Sequence, residues 1–243
     1  MRIEVSGVDV RFGAVAALAG VDIDIAAGER RALIGPNGAG KSTLFNVIAG
    51  EQRPAVGRVN LDGADVTALP SWRRSRLGLG RTFQRSTLFG GLTVAENLAL
   101  SIRARERSGW RFWPLREFAL RAEVADRLLA AALSDFAGRA ASTLGHGQQR
   151  ALEIELALAS GPRALLLDEP MAGLSGDERQ AAVARLRALP RDVTLVIVEH
   201  DLDAVFALAE RVTVLDHGTC IAEGTAAEVR ADPRVQEVYL GNG

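Results

Sequence analysis

The chain has 243 residues, 48% of them hydrophobic, which is material for a large core and fits an α/β domain carrying an inserted subdomain. A formal net charge of −1 gives no reason to expect a nucleic-acid or anionic-membrane partner, and a single cysteine, Cys220, cannot close an internal disulfide, which suits a reducing cytosol. No apolar run approaches ~20 residues, so no segment is expected to span a bilayer.

Met1 to Ser6 alternates like a strand and lacks the apolar stretch of a signal peptide. Residues 2–10 and 21–25 read as strands, and Arg30-Arg31-Ala32-Leu33-Ile34 as a short buried strand. The glycine-rich run Gly35 to Thr43 follows, then an apolar helix over Leu44 to Ala49. Asp62-Gly63 and His217-Gly218 read as turns between strands. From Val94 to about Gly161 the pattern is helical, with apolar residues at i, i+3 and i+4 in Val94–Leu98 and Val124–Leu128. Parallel-strand signals return at Ala164–Asp168 and Thr194–Val198, and Val212–Leu215 with Thr219–Ala222 forms a hairpin. Cys220 in that hairpin reads as a small core residue rather than a reactive thiol. There is no internal repeat and no low-complexity linker.

Gly35-Pro36-Asn37-Gly38-Ala39-Gly40-Lys41-Ser42-Thr43 fits the phosphate-binding pattern G-x-x-x-x-G-K-[ST] without a mismatch. A strand, a glycine loop and a helix N-terminus together make an anion site, because backbone N–H groups converge and the helix dipole adds positive charge. Lys41 can reach the terminal phosphates and the Ser42 hydroxyl can ligate Mg²⁺, so nucleoside triphosphate binding is expected. The apolar run Ala164–Asp168 ends in two carboxylates, Asp168 and Glu169, at the strand end where α/β sheets bind ligands. Adjacent acids there also occur as a solvated turn or a helix cap. The phosphate loop decides for function, with Asp168 on Mg²⁺ and Glu169 as general base toward water.

Between these motifs lies Thr143-Leu144-Gly145-His146-Gly147-Gln148-Gln149-Arg150. A phosphate loop, an Asp-Glu strand end and this intervening segment, in this order, resemble an ATP-binding cassette (ABC) ATPase over essentially the whole chain. The resemblance implies an α/β fold: a P-loop NTPase ABC-type nucleotide-binding domain with an antiparallel β subdomain and an inserted helical subdomain. Residues 1–93 and 162–243 would form the RecA-like core plus β subdomain, and 94–161 the helical subdomain carrying the signature segment. It implies that Phe12, 23 residues before Gly35, stacks on adenine, and that Gln84 in Arg81-Thr82-Phe83-Gln84 links the metal site to the transport partner. It further implies a dimer-contacting D-loop at Ala172-Gly173-Leu174-Ser175 and a γ-phosphate-sensing switch at His200. Two such domains would sandwich two ATP molecules, each on one subunit's Lys41 loop and under the partner's signature segment, where Gly147 lets the backbone approach the γ-phosphate and Gln148 opens the helix.

The family pattern is not followed everywhere. Its signature has Ser-Gly-Gly before the glutamine, and here Gly145-His146-Gly147 stands instead, so the serine hydroxyl is missing; Thr143 or His146 could supply a hydrogen bond. Ser175 stands where many members have Asp, and Glu155-Leu156 where relatives often show Ala-Arg. Arg103 to Arg127 carries seven arginines against four acids, with Trp110, Phe112, Trp113 and Phe118 interleaved. That stretch fits a membrane-surface segment or, preferably, a solvated subdomain whose aromatics pack on the core.

Within the family the chain resembles the branched-chain amino-acid importer ATPases, including those serving urea and short amides. Gly78 to Gln84, Leu88-Phe89, Leu92 to Leu98, His146 to Ile154, and the tail from Glu223-Gly224-Thr225 to Tyr239-Leu240-Gly241 carry this. The resemblance implies ATP hydrolysis with Mg²⁺, two integral-membrane permease subunits, and a homodimer or a heterodimer with a sibling ATPase. It also implies a periplasmic or extracellular solute-binding protein as indirect partner, no nucleic acid, and a cytoplasmic place on the inner face of the membrane. The competing reading is a soluble ABC ATPase on a non-transport scaffold, whose signature would normally retain Ser-Gly-Gly. A DNA-structural member would carry heptad coiled coils and a GTPase an N-K-x-D motif; neither is visible.

Overall fold

The computed structural model describes residues 1–82, 88–105 and 113–240; the side chains of 113–116 and of 239–240 lie outside the description. In chain order the elements are β1 (Ile3–Phe12), β2 (Val15–Ile25), β3 (Arg30–Ile34), α1 (Lys41–Ala49), β4 (Val56–Leu61), β5 (Ala64–Asp65), α2 (Ser71–Arg76) and β6 (Leu79–Arg81). Then come α3 (Val94–Arg105), α4 (Trp113–Ala130), α5 (His146–Ala159), β7 (Ala164–Asp168), α6 (Gly176–Arg187), β8 (Thr194–Val198) and α7 (Leu202–Leu208). β9 (Arg211–Asp216), β10 (Thr219–Gly224), α8 (Ala226–Ala231) and α9 (Pro233–Leu240) close the chain.

These fall into two compact units: residues 1–81, 163–170 and 189–243, and residues 82–162 with 171–188. The second thus takes in α6 and the Ala172–Ser175 segment, which sequence reasoning assigned to the core.

The first unit holds both sheets. An antiparallel sheet runs β2-β1-β4-β5, and a six-stranded sheet runs β10-β9-β3-β8-β7-β6, parallel except for the β9–β10 hairpin. The central strands β3, β7 and β8 are buried at every position, as parallel strands covered on both faces must be, so they read as continuous apolar runs rather than alternations. β3 departs from that rule with two buried arginines. Arg31 pairs with Glu29 at 2.6 Å and Glu223 at 2.7 Å, and Arg30 donates to the Leu189 carbonyl at 3.1 Å. Asp62-Gly63 and His217-Gly218 each have both residues at positive φ, the geometry of two-residue hairpin loops whose twist matches the flanking strands. Cys220 is half-buried against the core, and burial pushes its thiol pKa up.

α1 begins at Lys41, one turn earlier than its apolar run indicates, and packs Leu44, Phe45, Val47 and Ile48 into the core. Its C-terminal carbonyls are held by Arg74 of α2, which donates to Val47 O at 2.7 Å and Ile48 O at 2.8 Å. Burial lowers this guanidinium's pKa to about 10, yet a cation at a helix C-terminus is favoured by the dipole. α1 is therefore fixed at its rear while its front faces the phosphate loop.

The second unit has its own core, built on Val94, Leu98 and Ile102 of α3, Val124 and Leu128 of α4, and Leu152 of α5. Each fully buried aliphatic side chain there contributes about 1.5–3 kcal/mol relative to exposure. The expected i, i+4 stripes of α3 and α4 supply these contacts. Phe118 is a correction: it is 77% exposed on α4 instead of packed on the core. Trp110 and Phe112 lie outside the described residues.

Candidate nucleotide site

The phosphate loop connects the C-terminal end of β3 to α1. Gly40 is the N-cap of α1 at φ +99°, and a Cβ there would lie 2.6 Å from the Ala17 carbonyl oxygen, so glycine is required on both counts. No side chain caps α1 and no acid sits in its first turn, which leaves the first N–H groups of a helix for an external acceptor. Lys41 is buried, and its Nζ donates to Gly35 O at 2.7 Å and Pro36 O at 2.8 Å. Burial lowers its pKa, while Glu169 and then Asp168 pull it back up. A desolvated ammonium folded onto the loop's own carbonyls is a cation that an incoming polyphosphate would satisfy better. Pro36, Asn37, Gly38 and Ala39 border a cavity of about 800 Å³, closed on another side by His217 and Arg234. Ser42 is exposed and Thr43 half-buried in the first turn of α1. Phe12 ends β1 and is 54% exposed.

Asp168 ends β7 and is buried. Glu169 follows at φ +47°, a left-handed conformation that costs a non-glycine residue of order 1–3 kcal/mol and concentrates at functional sites. Its amide donates to Val198 O at 2.8 Å, and its carboxylate lies 2.7 Å from His200 Nε2. Both side chains remain partly open to solvent. Sequence reasoning named Asp168, Glu169 and His200 and the structure joins the last two directly. It missed Glu199. This buried carboxylate accepts from the backbone N–H of His200 at 3.0 Å and of Asp201 at 3.4 Å, and Asp201 caps α7 through Asp203 N and Ala204 N. The His200 backbone is thus fixed from both sides. The signal is an acid directly after an apolar strand, the same pattern that marks Glu169. Gln84 lies outside the described residues.

The signature segment belongs to the second unit. Gly145 is the N-cap of α5 and brings no side-chain acceptor, while Gln148 Oε1 accepts from Gly145 N at 3.0 Å, one half of the reciprocal cap. Neither proposed stand-in for the missing serine is committed to that task. Thr143 Oγ1 donates to Ala140 O at 2.8 Å, and the exposed His146 ring lies against Gly173. Gly147 has a packing reason of its own: a Cβ there would lie 2.0 Å from Glu178 Oε1. Glu178 in turn completes a capping box with Ser175, accepting from Ser175 N at 2.9 Å and Ser175 Oγ at 2.8 Å; these bonds lower its pKa. Ser175, where Asp was the family expectation, is therefore the N-cap of α6.

A phosphate loop leading into an uncapped helix, with an Asp-Glu strand end and a histidine on the carboxylate, defines a P-loop ATPase, and the glycine-rich helix start in the second unit specifies the ABC class. Comparison with known proteins agrees. Residues 18–172 match the ABC transporter family, and residues 219–243 match the family described as branched-chain amino acid ATP-binding cassette transporter. The high-affinity branched-chain amino acid transport ATP-binding protein BraF of Pseudomonas aeruginosa is 36% identical, over 98% of this chain and 97% of its own length. The corresponding protein LivG of Escherichia coli is 35% identical, covering 98% and 97%. The ADP conformation of an ATP-binding cassette of an ABC transporter superposes with a TM-score of 0.84 at 31% identity, covering 99% of each chain. A dimeric cassette in a post-hydrolysis state, bound to ADP and Pi, gives 0.80 at 27% identity, covering 92% of this chain and 98% of that one. The chain belongs to the ABC transporter family and is an ATP-binding transport ATPase. Among the described residues no helix is long and apolar enough to cross a membrane.

Proposed function

We propose that this chain hydrolyses ATP to drive import of branched-chain amino acids or related small polar solutes through two integral-membrane permease subunits. The observation that carries the reading is the match of residues 219–243, outside the shared ATPase elements, to the branched-chain amino acid cassette family. Full-length similarity to BraF and LivG supports it. The chain would sit on the inner face of the membrane through those permeases, as a homodimer or paired with a sibling ATPase, with an external solute-binding protein delivering cargo.

Each residue has a role in this scheme. Phe12 stacks on adenine. The loop from Gly35 to Thr43 wraps the phosphates, and Lys41 transfers from its two carbonyl partners to the β- and γ-phosphates. Glu169, already hydrogen-bonded to His200, accepts a proton from the attacking water, while His200 senses the γ-phosphate. Mg²⁺ fits the donor set: Ser42 offers a hydroxyl and buried Asp168 a carboxylate, hard oxygens suited to an ion carried largely by phosphates. When bound it would neutralise charge on the β- and γ-phosphoryl oxygens. Gln84 would link this site to the permease. Gly145, His146, Gly147 and Gln148 would meet the γ-phosphate of ATP on the partner, so ATP favours the closed dimer and its loss reopens it.

Partners test the scheme. Gentle solubilisation of native membranes and affinity capture of this chain should co-purify two polytopic membrane proteins. Capture of soluble partners alone would refute the importer assignment and favour a scaffold ATPase.

A further inference from the structure

We infer that Glu155 is a positioning residue, holding the signature helix α5 on α6 so that the signature segment meets ATP in the closed dimer; the inference rests on the cassette-dimer reading above. Glu155 is fully buried. Arg185 Nε of α6 donates to its Oε1 at 2.5 Å, and Arg127 of α4 lies 3.5 Å from its Oε2. Arg127 also pairs with Glu123 at 2.9 Å, and Glu123 with Arg105 of α3 at 2.7 Å. Alternating charge therefore runs through α6, α5, α4 and α3, with Arg127 to Glu155 Oε2 the one link made by charge without a hydrogen bond.

Packing alone does not align α5 with α6. Small side chains, Ala151 on α5 and Ala181 and Ala182 on α6, border a cavity of about 290 Å³, so the interdigitation that fixes helix orientation in a filled core is thin here. Two contacts remain, a close approach at the front and an ion pair at the rear. At the front, the Glu178 carboxylate lies over Gly147 beside the Ser175 cap. About two turns further along both helices stands the Glu155–Arg185 pair. With both anchors intact, α5 has one orientation on the helix that the D-loop starts. Without the rear anchor it can pivot on the front one, and the cavity gives it room. A buried carboxylate stripped of its partner is costly, which keeps the pair closed. This gives Glu155 a task at a position where relatives often show alanine.

The test compares ATP-driven dimerisation, by sedimentation, in a Glu169→Gln parent and in the same parent carrying Glu155→Gln, Glu155→Asp or Arg185→Gln. Monomer nucleotide affinity and Tm are measured alongside. Glu155→Gln and Arg185→Gln should each weaken dimerisation about tenfold, in the range of energies that couple contacting residues. Monomer ATP affinity should stay within about twofold, because the Lys41 loop lies in the other unit, and Glu155→Asp should recover part of the loss. If Glu155→Gln unfolds, Arg185→Gln, whose side chain is 23% exposed, decides the question. A parent that dimerises equally well with and without these substitutions overturns the inference alone. A parent that stays monomeric in ATP overturns the cassette-dimer reading and this inference with it.

Discussion

Gly147→Ala separates two reasons for one glycine. In the folded chain the new methyl would sit 2.0 Å from Glu178 Oε1 and 2.2 Å from its Cδ, so Glu178 must swing away and its bonds to Ser175 N and Oγ are lost. Disrupting such a cap costs about 1 kcal/mol, and residual crowding adds about 1–3 kcal/mol. Against this, alanine gains about 1 kcal/mol of helix propensity. The net is a destabilisation of about 1–3 kcal/mol, or roughly 2–12 °C in Tm at 2–4 °C per kcal/mol for a chain of this size. In a Glu178→Ala background the crowding is gone, so adding Gly147→Ala should leave Tm equal or slightly higher. If the backbone at Gly147 also approaches a γ-phosphate, ATPase turnover of the double variant should still fall at least about tenfold, the loss of one charge-assisted hydrogen bond. Calorimetry and a phosphate-release assay on both backgrounds read the two effects separately. A double variant hydrolysing ATP as fast as Glu178→Ala alone would show Gly147 to be a packing residue only and would refute the phosphate argument.

Glu169→Gln should bind ATP yet accumulate a closed dimer with little turnover, and wild-type turnover would exclude Glu169 as the base. Gly145→Ser has room, since its Cβ would meet only Gln148 Oε1 at 3.7 Å, and restoring the hydroxyl should lower KM for ATP about tenfold; an unchanged KM means another group already fills that place. Glu96, Glu178 and Glu228 each close a capping box, with bonds from Thr93, Ser175 and Thr225 that hold their pKa values below the ordinary 4.5. A depressed carboxylate stabilises the fold above its unfolded pKa and loses that effect as pH falls through the folded value. Tm should therefore decline below about pH 4.5, and Glu→Gln at all three positions should flatten that limb; an unaltered profile would place acid sensitivity elsewhere.

Much of this was legible because it was local. The P-loop spelling fixes a strand, a turn and a helix start, and β7 and β8 fall on the residues their apolar runs delimit, Ala164–Asp168 and Thr194–Val198. Other features depend on residues far apart in the chain. Glu178 over Gly147, Arg74 on the end of α1, and Glu155 between Arg127 and Arg185 leave no periodicity in the sequence, because a single charged residue on a helix face reads the same whether solvated or paired. Phe118 shows the converse: an aromatic within an amphipathic helix reads as core and is exposed. The cap made by Ser175 and Glu178 is spelled Ser-x-x-Glu, a local pattern that a D-loop resemblance does not carry.

Uptake by membranes tests the central claim most directly. Vesicles from cells whose only copy of this chain carries Glu169→Gln should lose ATP-dependent accumulation of labelled leucine, isoleucine or valine, or of a small amide, relative to vesicles with the unaltered chain. Accumulation of all of these at the unaltered rate would contradict the assignment of this ATPase to that importer.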